Sequence, residues 1–135
     1  MEPTVRRFTY QPEEDLMASS IVGTWNTFVD WGDTGHPIAA NPLTFNADGS
    51  WTYVNGGGRW VQVEGMYFFN FTNAAGLVYA ANVTKDTVSG ILGYAVAGSN
   101  PGSGVWWGTR PGAPHAAVAA AAAPEHDILT SPAKR

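Results

Sequence analysis

Cysteine is absent from the 135 residues. That excludes disulfides, thiolate metal sites and a cysteine nucleophile. Charge is scarce. Charged residues make up 13% of the chain, against ~25% in an average soluble domain. Arg6-Arg7 and Lys134-Arg135 are the only adjacent basic pairs. A surface that tracks phosphates is therefore not expected, and aromatics without interleaved basic residues do not make a single-strand nucleic-acid platform. No apolar core follows the N-terminal Met1-Glu2-Pro3-Thr4-Val5-Arg6-Arg7, so no signal peptide is read and a cytoplasmic location is the default. A secreted mature form stays open. The one long apolar run, Ala116 to Ala123, is too short to span a bilayer, and no membrane partner is expected.

What the chain does have is aromatics and glycine, with six Trp, five Tyr, six Phe and 16 Gly. This balance suits strands and tight turns. Strand signals recur between residues 21 and 110. Ile21 to Asp30 is read as a strand. A Gly/Pro/Asn-rich loop is read from Trp31 to Pro42. Leu43 to Phe45 then meets Ser50 to Val54 across Asp48-Gly49, a hairpin signal. Asn55 to Gly58 reads as a turn into Arg59 to Glu64. Met66 to Phe71, Leu77 to Val83, Thr87 to Val96 and Gly104 to Arg110 complete eight strands.

Nearly every connection is short enough for a hairpin, which predicts an all-β, eight-stranded antiparallel up-and-down β-barrel. Closure removes the two edges such a meander would expose. A two-sheet sandwich is the alternative. Residues 1–20 are expected to form a flexible N-terminal arm, 21–110 the barrel domain, and 111–135 an Ala/Pro-rich flexible C-terminal tail.

At Gly23-Thr24-Trp25 the sequence is similar to the calycin group: lipocalins, avidins and bacterial lipocalin-like domains. The hairpins Phe45-Asn46-Ala47-Asp48-Gly49-Ser50-Trp51 and Gly58-Arg59-Trp60 resemble the bacterial members. The resemblance implies a barrel whose Trp25 plugs a closed end, with Arg110 packed across it. No avidin-type ligand residues line up beyond Gly23-Thr24-Trp25, so no biotin contacts carry over.

Within such a barrel, aromatic residues either fill the core or line a ligand cavity. Trp31, Tyr53, Trp60, Tyr67, Tyr79, Tyr94 and Trp106 are the lining candidates for a small hydrophobic or aromatic molecule. The lead function is a small-molecule binding module. The alternative is a barrel enzyme of cyclase or isomerase type, with His36, Asp33 and Tyr94 moving protons. The bland reading of Asp30 to Pro37 is a solvated turn whose Asp and Gly residues set backbone geometry. A third reading is an oligomeric interaction protein with a filled core. An open lumen of a few hundred Å3 is needed for either of the first two readings, and a lumen filled by the chain's own side chains would leave only the third. No cofactor is expected, and no metal site, because His115 and His126 lie on the tail and no acidic cluster exists.

The strand Met66 to Phe71 is apolar on both faces, and adjacent Trp106 and Trp107 must point to opposite sides. Residues 21 to 110 carry three basic residues (Arg59, Lys85, Arg110) and five acidic ones (Asp30, Asp33, Asp48, Glu64, Asp86). An apolar outer face under so thin a charge coat predicts a homo-oligomer, most simply a dimer.

Overall fold

The computed structural model describes residues 19–95, 102–112 and 126–132. Its eight strands are β1 (Gly23–Trp31), β2 (Ile38–Phe45), β3 (Ser50–Tyr53), β4 (Gly56–Val63), β5 (Met66–Asn70), β6 (Leu77–Val83), β7 (Thr87–Tyr94) and β8 (Ser103–Thr109). They pair in sequence order, and β8 returns to β1, closing the barrel. The β1–β8 seam is antiparallel, from Asn26 opposite Thr109 to Trp31 opposite Gly104. Among the described residues no strand edge is left unpaired, as the hairpin series predicts.

Several strand ends shift by one or two residues from the sequence reading, and two differences are larger. The Trp31 to Pro42 loop is shorter than expected, because β1 runs through Trp31 and β2 begins at Ile38. Pro42 read as a loop residue. It sits instead at a bulge: Trp25 pairs Leu43 but Thr27 pairs Ala40, so Asn26 faces both Asn41 and Pro42. A bulge tolerates a residue with no N–H to give the ladder. The second difference is Gly56-Gly57-Gly58, read as a turn but lying in β4 opposite Tyr53, Thr52 and Trp51. A side chain at Gly58 would run into the Asn70 carbonyl, so glycine is what lets β4 approach β5 there.

The odd-numbered aromatics of β5, and Phe71 directly after it, point inward. Tyr67, Phe69 and Phe71 are buried, while Met66 and Phe68 are exposed. Trp25, Trp51, Trp106, Tyr79, Phe45 and Phe69 are among the largest fully buried side chains. Their rings mesh edge-to-face and offset: Trp51 lies 4.9 Å from Phe69, and Phe69 lies 5.6 Å from Trp106. Such pairs add about 0.5–1.5 kcal/mol each beyond their burial. The middle of the barrel is therefore a packed aromatic core. Trp107, the neighbour of Trp106, faces outward and stacks on Phe28 at 4.1 Å.

One end of the barrel is closed as the resemblance implies. The Arg110 guanidinium carbon lies 4.2 Å from the centre of the Trp25 ring. Its nitrogens donate to the carbonyls of Ser20 (2.6 Å), Val22 (3.1 Å) and Lys85 (3.3 Å). The Trp25 indole donates to the Ile21 carbonyl at 2.8 Å. Gly23 adopts φ 123° directly beneath Arg110, and a side chain there would press on the guanidinium.

Candidate functional site

Strand polarity fixes the other end. β1, β3, β5 and β7 run toward it, so Trp31, Tyr53 and Tyr94, the last residues of β1, β3 and β7, ring its mouth. Tyr79 lies one pleat deeper on β6. The Trp31 and Tyr94 rings stack at 6.3 Å on one side. On the other, Tyr53 packs on Trp51 (5.4 Å) and on the edge of Phe71 (5.9 Å), and Tyr79 lies 5.2 Å from Phe71.

The mouth is occupied by the chain itself. Residues 126–132 lie in it, with Ile128 2% and Leu129 0% exposed. Each polar tip of the rim meets an oxygen of this segment. The Trp31 indole donates to the Ile128 carbonyl at 2.7 Å. The Tyr79 hydroxyl donates to the Leu129 carbonyl at 2.6 Å. The Tyr94 hydroxyl donates to the Thr130 carbonyl at 2.8 Å. The Tyr53 hydroxyl donates to Asp127 Oδ2 at 2.8 Å and accepts from Asn73 Nδ2 at 2.9 Å.

The segment is also folded on itself. Asp127 Oδ1 accepts from the Leu129 N–H, and the Asp127 carbonyl accepts from the N–H groups of Thr130 and Ser131. His126 Nε2 lies 3.0 Å from the Ser131 carbonyl and 2.9 Å from its hydroxyl, joining the two ends. This is one turn stabilised by an Asp side chain. The expectation of a flexible tail over 111–135 does not describe these seven residues, because Ile128 and Leu129 supply the apolar anchors that the Ala tract lacks. The Ala tract and His115 lie outside the described residues.

The electrostatics keep the rim in donor form. Burial, and then the nearby Asp127 carboxylate, raise the Tyr79 and Tyr94 phenols. Burial raises Tyr53 as well, against the Asn73 hydrogen bond that lowers it, and Asp127 adds to the rise. Loss of a proton would leave an anion in an apolar ring beside a carboxylate.

Of the seven residues read as lining, four thus gather at the mouth: Trp31, Tyr53, Tyr79 and Tyr94. Of the other three, Tyr67 and Trp106 belong to the filled core, and Trp60 packs against it half-buried. Trp60 donates to the Asn46 and Ser50 carbonyls near the closed end. Trp106 packs mid-barrel against Tyr79 and Phe69. Tyr67 is 3% exposed, and its hydroxyl has no partner among the described residues. Burial alone raises its phenol.

The proposed proton-moving residues are not brought together. Asp33 and His36 are exposed on the 32–37 loop, and the Tyr94 hydroxyl is engaged with Thr130. The organiser of that loop is Asp30, whose carboxylate accepts from the Thr34 N–H, the Thr34 hydroxyl and the Gly35 N–H at 2.8–2.9 Å. The Thr34 backbone bond is the main cause holding Asp30 below the usual carboxylate range. Gly32, Asp33 and Gly35 all adopt positive φ, so the loop's acids and glycines serve backbone geometry. Among the described residues, no group of three His, Asp or Glu side chains is placed to hold a metal ion.

The fold and the mouth define an eight-stranded antiparallel closed barrel with a packed middle and one occupied end. Comparisons of the chain with protein-family models, curated proteins and solved structures return no match.

Proposed function

We propose that the chain is a binding module whose site is the mouth ringed by Trp31, Tyr53, Tyr79 and Tyr94, and that its ligand is apolar with several oxygen acceptors. One observation carries this reading: four donors from four strands converge on four oxygens of an inserted segment. A barrel that only needed filling would use apolar residues at these positions, since each buried hydroxyl or indole N–H requires a partner. Aromatic walls with a few oriented polar groups are the usual make-up of a small-ligand site. The similarity to the calycin group at Gly23-Thr24-Trp25, together with the Trp25–Arg110 contact, supports a lipocalin- or avidin-type ancestry, in which one barrel end is plugged and the other binds. The open lumen expected from the sequence is not found among the described residues, whose rings pack the middle of the barrel, so a ligand is confined to the mouth, in the space that residues 126–132 fill.

The test uses the full chain carrying Ile128→Asp with Leu129→Asp, which removes the anchors and clears the mouth. An anilinonaphthalene sulfonate probe should bind this variant at one site per barrel. Trp31→Ala in the same background should abolish that site. A folded variant that binds no probe, or binds it regardless of Trp31, would contradict the reading.

A second reading, a homo-oligomer with the outer face as its interface, is favoured by a separate observation. Val61, Phe68, Ala80 and Ile91 follow one another across β4, β5, β6 and β7 on the outside. Phe68 and Ile91 are 52% and 63% exposed, and Val63 and Met66 extend the patch. A depression of ≈ 260 Å3 lies among Val61, Val63, Met66 and Phe68. Contiguous apolar surface of this kind marks a protein interface. The two readings are compatible. Light scattering at micromolar concentration should give twice the chain mass, and Phe68→Asp should halve it. A monomer before substitution would remove this reading.

A further inference from the structure

Resting on the mouth as a ligand site, we infer that its ligand class is a short peptide turn of the form Asp-apolar-apolar-Thr carried by another protein. The chain's own Asp127-Ile128-Leu129-Thr130 is then a built-in competitor for that partner.

The chemistry of the contacts selects a peptide over other acceptor-bearing molecules. Three successive main-chain carbonyls, those of residues 128, 129 and 130, are each taken by a different barrel side chain. Successive carbonyl oxygens at peptide spacing are a property of polypeptides. The N–H groups of residues 129, 130 and 131 are satisfied inside the turn by Asp127, so the mouth needs to supply donors only, and it does. Its indole and three phenols donate, and all three phenols are held neutral. Sequence preference arises from two features. Ile128 and Leu129 sit in fully enclosed apolar positions, which large aliphatic side chains fill. The first position requires an acid that both caps the turn and accepts from Tyr53, a role that Asn or Ser would fill with a weaker, uncharged acceptor.

A second copy of the chain is a poor source of this turn. The segment is tethered to Gly112 by thirteen residues, 113–125. A covalent tether of that length holds its own segment at an effective concentration far above micromolar, about millimolar for short linkers. An identical segment from another copy at micromolar concentration loses that competition. The partner must therefore carry a better-fitting turn, or meet a chain whose tail has been withdrawn. Tail occupancy lowers the apparent affinity of any partner by the fraction of mouths left open.

The test is fluorescence anisotropy with a labelled synthetic peptide spanning His126 to Pro132, added to the full chain and to its Ile128→Asp/Leu129→Asp form. The peptide should bind the double variant at least about tenfold more tightly than the native chain. A peptide carrying Leu129→Asp should not bind. Tyr79→Phe with Tyr94→Phe in the double variant should weaken the native peptide about tenfold or more. If the double variant does not fold, Ile128→Ser with Leu129→Ser takes its place. A folded, cleared mouth that takes the naphthalene probe but not the peptide overturns the peptide class and leaves the site. A cleared mouth that takes neither overturns both. Native chains that dimerise through exchanged tails at micromolar concentration would overturn the assignment to a foreign partner.

Discussion

Leu129→Ala separates a docked tail from an integral core element. Leu129 is completely buried. Truncating such a side chain removes about three carbons of transfer free energy and leaves a cavity, a cost that runs from roughly 2 to 5 kcal/mol in cores. Here the cost has a ceiling. Once the loss reaches the docking free energy of residues 126–132, the tail leaves and the barrel, closed by its own eight strands, remains. The low end, about 2–3 kcal/mol, is the expected loss of docking, equivalent to roughly 30- to 150-fold in the docked-to-free ratio. Native-state hydrogen exchange reads this residue by residue. Among the described residues, the amides of Leu129, Thr130 and Ser131 are hydrogen-bonded only within the turn. They should exchange about 30-fold faster, or reach the rate of an unstructured peptide. Amides of β6 to β8 should stay within about twofold, as expected for a local opening. Equal acceleration of strand and tail amides would show that the segment unfolds only with the whole barrel, and would refute the reasoning.

Tyr67→Phe should raise stability by about 1 kcal/mol in urea denaturation, since it removes a buried hydroxyl that has no partner among the described residues; a loss of stability would mean that the hydroxyl is satisfied. Tyr79→Phe should act in the opposite direction, by about 1–2 kcal/mol, because it strips the Leu129 carbonyl of its donor. Stability should also fall above about pH 10. The buried phenols of Tyr67 and Tyr79 and the half-buried ones of Tyr53 and Tyr94 titrate higher in the folded chain than in the unfolded one, so their contribution is fully present below pH ~10 and is lost as pH rises toward the folded values. Denaturation midpoints at pH 8 and pH 11 check this, and an unchanged midpoint would contradict it. Gly90→Ala should cost about 3 kcal/mol, because a methyl there would overlap the Ala80 carbonyl and the Ala81 Cα on β6; a midpoint within error of the native chain would count against the close approach of β6 and β7.

The barrel was legible because its strands alternate and its turns are short. Tyr67 and Phe69 inside, with Met66 and Phe68 outside, is the period of two that places one apolar set in the core and leaves the other exposed. The Trp25–Arg110 contact followed from a family resemblance, since eighty-five positions of chain separate the two and periodicity cannot link them. Pro42 and Gly56 to Gly58 misled for one reason. Local preference marks them as loop or turn residues, while tertiary closeness places them in strands, at a bulge and beside Asn70. The mouth was half visible. Trp31, Tyr53, Tyr79 and Tyr94 stood out as polar-tipped aromatics on strands, but so did Trp60, Tyr67 and Trp106, and only strand direction separates rim from core. Residues 126–132 gave no signal of their own. Two consecutive aliphatics after an Ala/Pro tract have no period, and their contacts lie 36 to 97 positions away in the chain.

The central claim, that the mouth is built to hold a ligand and holds the tail in its place, is tested most directly at the Trp31 indole proton. Its donor lies 2.7 Å from the Ile128 carbonyl. Exchange of that proton with solvent, followed by NMR, should be slow in the native chain and fast in the Ile128→Asp/Leu129→Asp variant. It should become slow again when the His126 to Pro132 peptide is added to that variant. An indole that stays protected in the cleared variant with nothing added would mean that the rim collapses on itself and offers no site.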